Sequence, residues 1–162
     1  MQKLKNTPNG HSLHSAFTII ELMFVIVVLG ILSAIALPKF SETKNLADIS
    51  KGRSDVMSLR SSILTARQSQ LIKGNSNFIP KLSDNGTTLF TGDGTQSLLL
   101  YGVTAGVTDG HWSATDNSYK NYAFHVHGVS IPFAYDSATG KFTCNANKDG
   151  TTAQKYCYQM TK

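Results

Sequence analysis

Residues 17 to 37 read FTIIELMFVIVVLGILSAIAL, and Glu21 is the one charged side chain among them. About 20 apolar residues are what an α-helix needs to cross the hydrocarbon core of a bilayer. Lys3 and Lys5 stand on the N-terminal side of the run. The positive-inside rule therefore keeps Met1 cytoplasmic and sends the C-terminal bulk across the membrane.

Three readings of this segment compete. An ordinary secretory signal peptide has a basic start, an apolar middle and a small-residue cleavage pattern, which Ala34-Ile35-Ala36 supplies. That reading leaves Glu21 inside the apolar middle and Pro38 just past the cut. A plain signal anchor explains length and orientation but gives Glu21 no purpose. The third reading is a precursor cut on the cytoplasmic side, so that the mature protein keeps the helix.

Glu21 decides between them. A carboxylate in an apolar, membrane-length segment costs several kcal/mol unless it is paired, so it reads as functional. No Lys or Arg occurs between residues 6 and 38, and the partner must come from elsewhere. A cut between Ala16 and Phe17 frees an α-amino group four residues from Glu21, on the same helix face. That amine belongs to the same chain or to a packed neighbour. A pair between subunits would also fix their axial register, as a buried polar group does in a coiled coil.

Residues 16 to 42, AFTIIELMFVIVVLGILSAIALPKFSE, resemble the class III signal of type IV pilins and type II secretion pseudopilins. The matching features are Phe17 after a small residue, Glu21, Gly30 within the run and Pro38 at its end. The resemblance covers a small part of the chain, but the pattern is specific. It implies that a membrane prepilin peptidase cuts between Ala16 and Phe17 and that the new amine of Phe17 is methylated. It further implies that Glu21 serves subunit docking and that Pro38 bends or loosens the helix, while Gly30 is a soft point by its residue type. The usual residue before the cut is Gly; here Ala16 takes its place, small enough for cleavage to be expected.

The helical pattern continues beyond Pro38. Leu46, Ile49, Val56, Leu59, Ile63 and Ala66 recur at helical spacings and predict one core-facing stripe. Gly52 reads as a soft point in that helix, as does Gly30. The helix is predicted to end near Ile72, before Lys73-Gly74-Asn75. A continuous helix from Phe17 would hold roughly 56 residues and span ~84 Å, too long to lie within a domain of roughly 90 residues. Its N-terminal half is therefore expected to project.

After Asn75 the texture changes to short apolar runs between turn signals. Leu98 to Val103 is read as a strand or short helix, and Tyr122 to Val129 as a strand. Ile131 to Tyr135, the turn Asp136-Ser137-Ala138-Thr139-Gly140 and Lys141 to Cys144 are read as a hairpin. The fold class expected is α+β and pilin-like: one long N-terminal helix, transmembrane in its first half, packed by its second half on three or four antiparallel strands. The segments expected are a leader over 1–16, a transmembrane assembly helix over 17–38, its amphipathic continuation over 39–74 and a β-rich head over 75–162.

The chain has 162 residues, a formal net charge of +5 and two cysteines, Cys144 and Cys157. A lone pair of cysteines in a chain that looks exported reads as a disulfide. It would close residues 145 to 156 into a C-terminal loop. The weak basic excess permits contact with DNA or lipid but demonstrates neither.

No active site emerges. There is no phosphate-binding Gly-Lys-Ser/Thr loop, no nucleophile elbow and no paired-cysteine zinc set. His125 and His127 would share a strand face and could take Asp109 or His111 as further metal ligands. Surface histidines are the simpler account. Asp84, Asn85, Asp93 and Asp109 could offer oxygens to Ca²⁺, but Asp and Asn beside Gly ordinarily build turns. The expectation is no catalytic residue and no resident cofactor.

The resemblance implies a filament of copies of this chain with minor pilins or pseudopilins, assembled by a cytoplasmic ATPase and a polytopic platform protein. The location implied is the bacterial inner membrane, then a periplasmic or extracellular fibre. A DNA-uptake pseudopilin belongs to the same class. The rival class is a periplasmic binding domain released by an ordinary signal peptidase.

Overall fold

The computed structural model describes residues 17–162. The elements in chain order are α1 (Ile19–Ile72), β1 (Thr88–Leu89), β2 (Val103–Thr104), β3 (Trp112–Ala114), β4 (Asn121–Val126), β5 (Val129–Asp136), β6 (Lys141–Cys144) and α2 (Thr152–Thr161). Two compact units are present, one ending at Phe40 and one spanning Ser41–Lys162. The long N-terminal helix with small antiparallel sheets is the α+β, pilin-like layout expected.

In the second unit, Ile49, Val56, Leu59, Ile63 and Ala66 of α1 are buried, as their spacing predicts. Leu46 departs from that expectation and stays 64% exposed. It lies roughly 110° round the helix from the midline of the core face, too far to share the stripe. Gly52 is a second correction. It is no soft point: a Cβ there would lie 2.5 Å from Met160 Cε and 2.6 Å from Phe124 Cε1. The missing side chain lets α1 approach the sheet and α2 closely. At the other end, the N–H of Gly74 donates to Leu71 O and that of Asn75 to Gln70 O, both at 3.0 Å. This Schellman closure ends α1 where the Lys-Gly-Asn signal placed it.

The main sheet is an antiparallel meander in the order β3-β4-β5-β6, and β1 and β2 pair separately. Alternation along β5 buries Ile131, Phe133 and Tyr135 and exposes Ser130, Pro132, Ala134 and Asp136. The β5–β6 hairpin forms as read, with Asp136 opposite Lys141. The Asp136 carboxylate holds its turn by accepting from Ala138 N–H at 2.9 Å and Thr139 O–H at 2.7 Å.

Two strand expectations need correction. Leu98 to Val103 is a loop up to its last residue, and only Val103–Thr104 joins a ladder. Tyr122 to Val129 is not one strand. It breaks at His127-Gly128, whose φ values of 50° and 70° make the two-residue turn joining β4 to β5.

The core is aromatic. Trp112 sits at its centre, fully buried, with ring centroids of Phe124, Phe133 and Phe90 at 4.9, 5.1 and 5.4 Å. Such contacts contribute about 1 kcal/mol each beyond burial. The buried hydroxyls are satisfied. Ser83 Oγ lies 2.8 Å from Tyr122 Oη and accepts from Phe90 N–H, while Tyr135 donates to Ile79 O at 2.8 Å. Burial holds the phenols of both Tyr122 and Tyr135 above their ordinary range, Tyr135 at about 12.

α2 was not foreseen, since residues 145 to 156 read as a plain loop. Thr151 and Gln154 form a reciprocal capping box at its start. Cys157 and Met160 are its buried anchors, and Cys157 is bonded to Cys144 at the end of β6 with Cα atoms 6.0 Å apart. Three arginines at seven-residue intervals strap α1 to the rest of the unit. Arg53 donates to Lys162 O at 3.0 Å, Arg60 to Phe142 O at 3.1 Å, and Arg67 lies over the Phe78 ring at 3.9 Å.

Candidate assembly segment

The first helical turn of α1 has its own cap. Thr18 Oγ1 accepts from the Glu21 N–H at 3.2 Å, and Thr18 O accepts from the N–H groups of Glu21 and Leu22. Thr18 is the N-cap and Glu21 occupies the third helical position, the spacing of a capping box. Sequence reasoning missed this role of Thr18, although the pattern Thr-Ile-Ile-Glu was the signal. The carboxylate at that position also complements the positive end of the helix dipole.

From here the helix is apolar on every side. Phe17 is 82% exposed and Ile19 89%, and the other large apolar side chains through Ile35 are likewise exposed, apart from the partly buried Val28. The stretch is long and apolar enough to cross a membrane. Among the described residues, Glu21 forms no ion pair. α1 passes through Gly30 and Pro38 without a break in its helical assignment, and a Cβ at Gly30 would meet nothing within 4 Å. Ala16 lies outside the described residues.

The aspartates considered as Ca²⁺ ligands, Asp84, Asp93 and Asp109, hold other contacts. Asp84 is held below its ordinary range, chiefly by the Thr91 hydroxyl, and its Oδ1 also accepts from Asn85. Partial burial opposes ionisation of Asp93, but hydrogen bonds from the Thr95 hydroxyl and the Gln96 and Thr95 N–H groups leave it lowered. Asp109 is lowered first by the Gly128 N–H at 2.9 Å and then by Lys44 at 3.6 Å. These are turn-building and docking contacts. Among the described residues, no three His, Cys, Asp or Glu side chains gather as a metal set.

The histidine pair also separates. His125 Nε2 faces Ser113 Oγ at 2.9 Å, while His127 lies in the hairpin turn with Nδ1 3.2 Å from Asn45 Nδ2. Their expected common face does not exist, because the turn intervenes. His111 bonds within its own loop, to Thr108 Oγ1 and Asp109 O at 3.1 Å.

Comparison with known proteins points to the N-terminal region. The family model for the prokaryotic N-terminal methylation motif matches residues 12–37. The chain is 44% identical over 45 residues to type II secretion system core protein G of Aeromonas hydrophila. That match covers 28% of this chain and 32% of the relative, so about a third of the relative's length is spanned. No solved structure matches the chain. On these observations the chain carries a prepilin-type N-terminal methylation segment, contiguous with an α+β unit of its own, and in part it is similar to a type II secretion pseudopilin.

Proposed function

We propose that this protein is a structural subunit of a type IV pilin-like or pseudopilin filament. One observation carries the reading: an apolar helical segment left exposed among the described residues coincides with the methylation motif over residues 12–37. Residues 1–16 are a cytoplasmic leader, removed by a prepilin peptidase between Ala16 and Phe17. Phe17 is then methylated, Glu21 docks against a neighbouring copy's new amine, and Gly30 and Pro38 supply bending points.

The helix spans the inner membrane with its N-terminus cytoplasmic, and the unit from Ser41 onward stands in the periplasm. Copies then stack through residues 17–37, with minor subunits, an assembly ATPase and a platform membrane protein as partners. The role is mechanical, with no catalytic step. Similarity to a type II secretion core protein favours a secretion filament among the machines of this class.

The first test is the mature N-terminus, read by mass spectrometry of protein from its native membrane. A methylated Phe17 is expected. A start near Leu37 would mean that the helix is discarded, and the filament reading would fall. Glu21→Ala should still be inserted and cleaved but enter filaments poorly. Unchanged export of secreted proteins in a deletion strain would remove the secretion assignment.

A further inference from the structure

The loop that leads into β1 holds a chemically reactive pair. Asn85-Gly86 is the one Asn-Gly step within residues 17–162, and every other asparagine there is followed by a residue with a side chain. Both residues of the step are exposed. An asparagine amide can be attacked at Cγ by the main-chain nitrogen of the next residue, and a side chain on that residue hinders the attack. Glycine has none.

The fold does not account for a glycine at 86. Gly92, in the same loop region, has a φ of 112°, and a Cβ on it would collide with Gln96 O. Gly86 is under no such constraint. Its φ is not positive, and a Cβ there would meet Tyr119 Oη at an ordinary 3.8 Å.

The groups around Asn85 suit the reaction. Its Oδ1 accepts from Thr88 N–H at 2.8 Å, Thr87 O–H at 3.0 Å and Thr87 N–H at 3.1 Å. Oδ1 is the atom that becomes an oxyanion when Cγ is attacked, so these donors face the developing charge. The leaving nitrogen, Nδ2, donates to Asp84 Oδ1 at 2.8 Å. Among the described residues no acceptor takes the Gly86 N–H, which leaves it open to solvent base. Asp109-Gly110 shows the contrast. There the Gly110 N–H is spent on His125 O at 2.7 Å, and the ionised Asp109 carboxylate is a poor electrophile.

We infer that Asn85 is a self-modification site, converted in the folded protein to aspartyl and isoaspartyl forms. Gly86 N gives its proton to solvent base and bonds to Asn85 Cγ. The Cγ–Nδ2 bond breaks, and the amide nitrogen leaves as ammonia with a proton taken from water. Water then opens the cyclic imide. Breaking the new Cγ–N bond leaves an aspartyl residue, whereas breaking the original peptide bond leaves an isoaspartyl residue whose main chain runs through Cβ and Cγ. One water is consumed and one ammonia is released, with no enzyme and no cofactor.

The aspartyl product places a carboxylate where the amide faced Asp84. Like charges replace the hydrogen bond between the two side chains, which weakens the hold of Asp84 on Thr91 Oγ1. A subunit that persists after synthesis therefore passes into a second form, more negative by one charge, with an altered loop on its surface.

The test incubates the folded full-length chain, in detergent or native membrane, in heavy-oxygen water at mildly alkaline pH. Peptides are then read by mass spectrometry with fragmentation that separates aspartyl from isoaspartyl. Both labelled forms should accumulate at position 85, faster than at any other asparagine of residues 17–162. Gly86→Ala should slow the conversion on the order of tenfold, by placing a Cβ beside the attacking nitrogen, and leave the urea midpoint unchanged. A folded chain that stays unmodified at 85 while the urea-unfolded chain reacts overturns the inference, because the loop would then protect the amide. Conversion of Gly86→Ala at the wild-type rate also overturns it, because the route would not pass through that nitrogen.

A substitution reads the consequence separately. Asn85→Asp carries the aspartyl form from synthesis and should raise the titration midpoint of Asp84, followed by NMR, with Lys81 as the nearby cation in both proteins. An unchanged midpoint overturns the effect on the loop.

Discussion

The two parts of α1 differ in what their apolar residues touch. From Ile19 to Ile35 the large apolar side chains other than Val28 are exposed, whereas Val56, Leu59 and Ile63 are sealed in the aromatic core. One helix therefore serves two solvents. In the filament proposed above, the first part gains its stabilisation from lipid or from other subunits. The second gains it from its own head, at about 25 cal/mol per Å² of apolar area buried. Hydrophobicity by itself does not say where a residue will be buried. The most apolar segment of this protein is the one its own fold leaves uncovered.

That contrast can be broken experimentally, and the largest effect is expected at Trp112. Trp112→Ala should cost about 4 kcal/mol in the urea-induced unfolding of the detergent-solubilised chain, followed by circular dichroism. Part of that loss comes from Asp55, whose Oδ2 accepts from Trp112 Nε1 at 3.0 Å and would be left partly buried without that donor. Leu29→Ala removes apolar volume from the same protein and should move that curve by less than about 0.5 kcal/mol, because Leu29 is 55% exposed. Comparable losses for the two would erase the distinction between the regions.

Opening the disulfide is next. Cys144→Ser with Cys157→Ser should cost about 3 kcal/mol by the chain-entropy account for a separation of 13 residues. Proteolysis should then begin within α2, whose attachment relies on Cys157 and Met160. Survival of the C-terminal peptide at wild-type rates would show that Met160 and the packing suffice. Gly52→Leu is expected to cost about 2 kcal/mol, since the new side chain must displace Phe124 as well as the flexible end of Met160. Gly30→Leu, where a Cβ meets nothing within the chain, should leave subunit stability unchanged and thereby sharpen the comparison.

The smallest effect is pH dependence. Asp84, Asp93, Asp116 and Asp136 are lowered from 3.8 by hydrogen bonds from nearby loop residues, and Asp109 by the Gly128 N–H and Lys44. The unfolded chain binds protons before the folded one does. Their stabilisation is therefore complete above 3.8 and is lost as pH falls through the folded values. Asp55 has the opposite sign, because burial raises it more than the Trp112 hydrogen bond and Lys51 lower it. Protonation of Asp55 adds stability as pH falls through its raised value toward 3.8. Asp55→Asn should accordingly move the acid loss of the urea midpoint to higher pH. A midpoint that rises steadily from pH 5 to pH 3 would contradict the turn assignments.

Much of the molecule was legible because local physics wrote it. The length and composition of residues 17–37, the position of Glu21 and the Lys-Gly-Asn stop at 73–75 depend on neighbours in sequence. So do the Asp136–Gly140 turn and the β5 alternation. The capping signals at Thr18 and Thr151 were equally local and were passed over, the second inside a stretch read as loop because of the disulfide.

Other features had no local signature. His127 continues an alternating pattern, yet the His-Gly turn removes it from the strand that carries His125. Gly52 looks like a weak point until Met160, more than a hundred residues later, packs against it. By itself the sequence determined which elements form and what the N-terminal segment is made of, because propensity, turn chemistry and apolar length act over a few residues. Tertiary structure alone decided which faces are closed and which stay open, because burial is set by residues that meet only when the chain has folded.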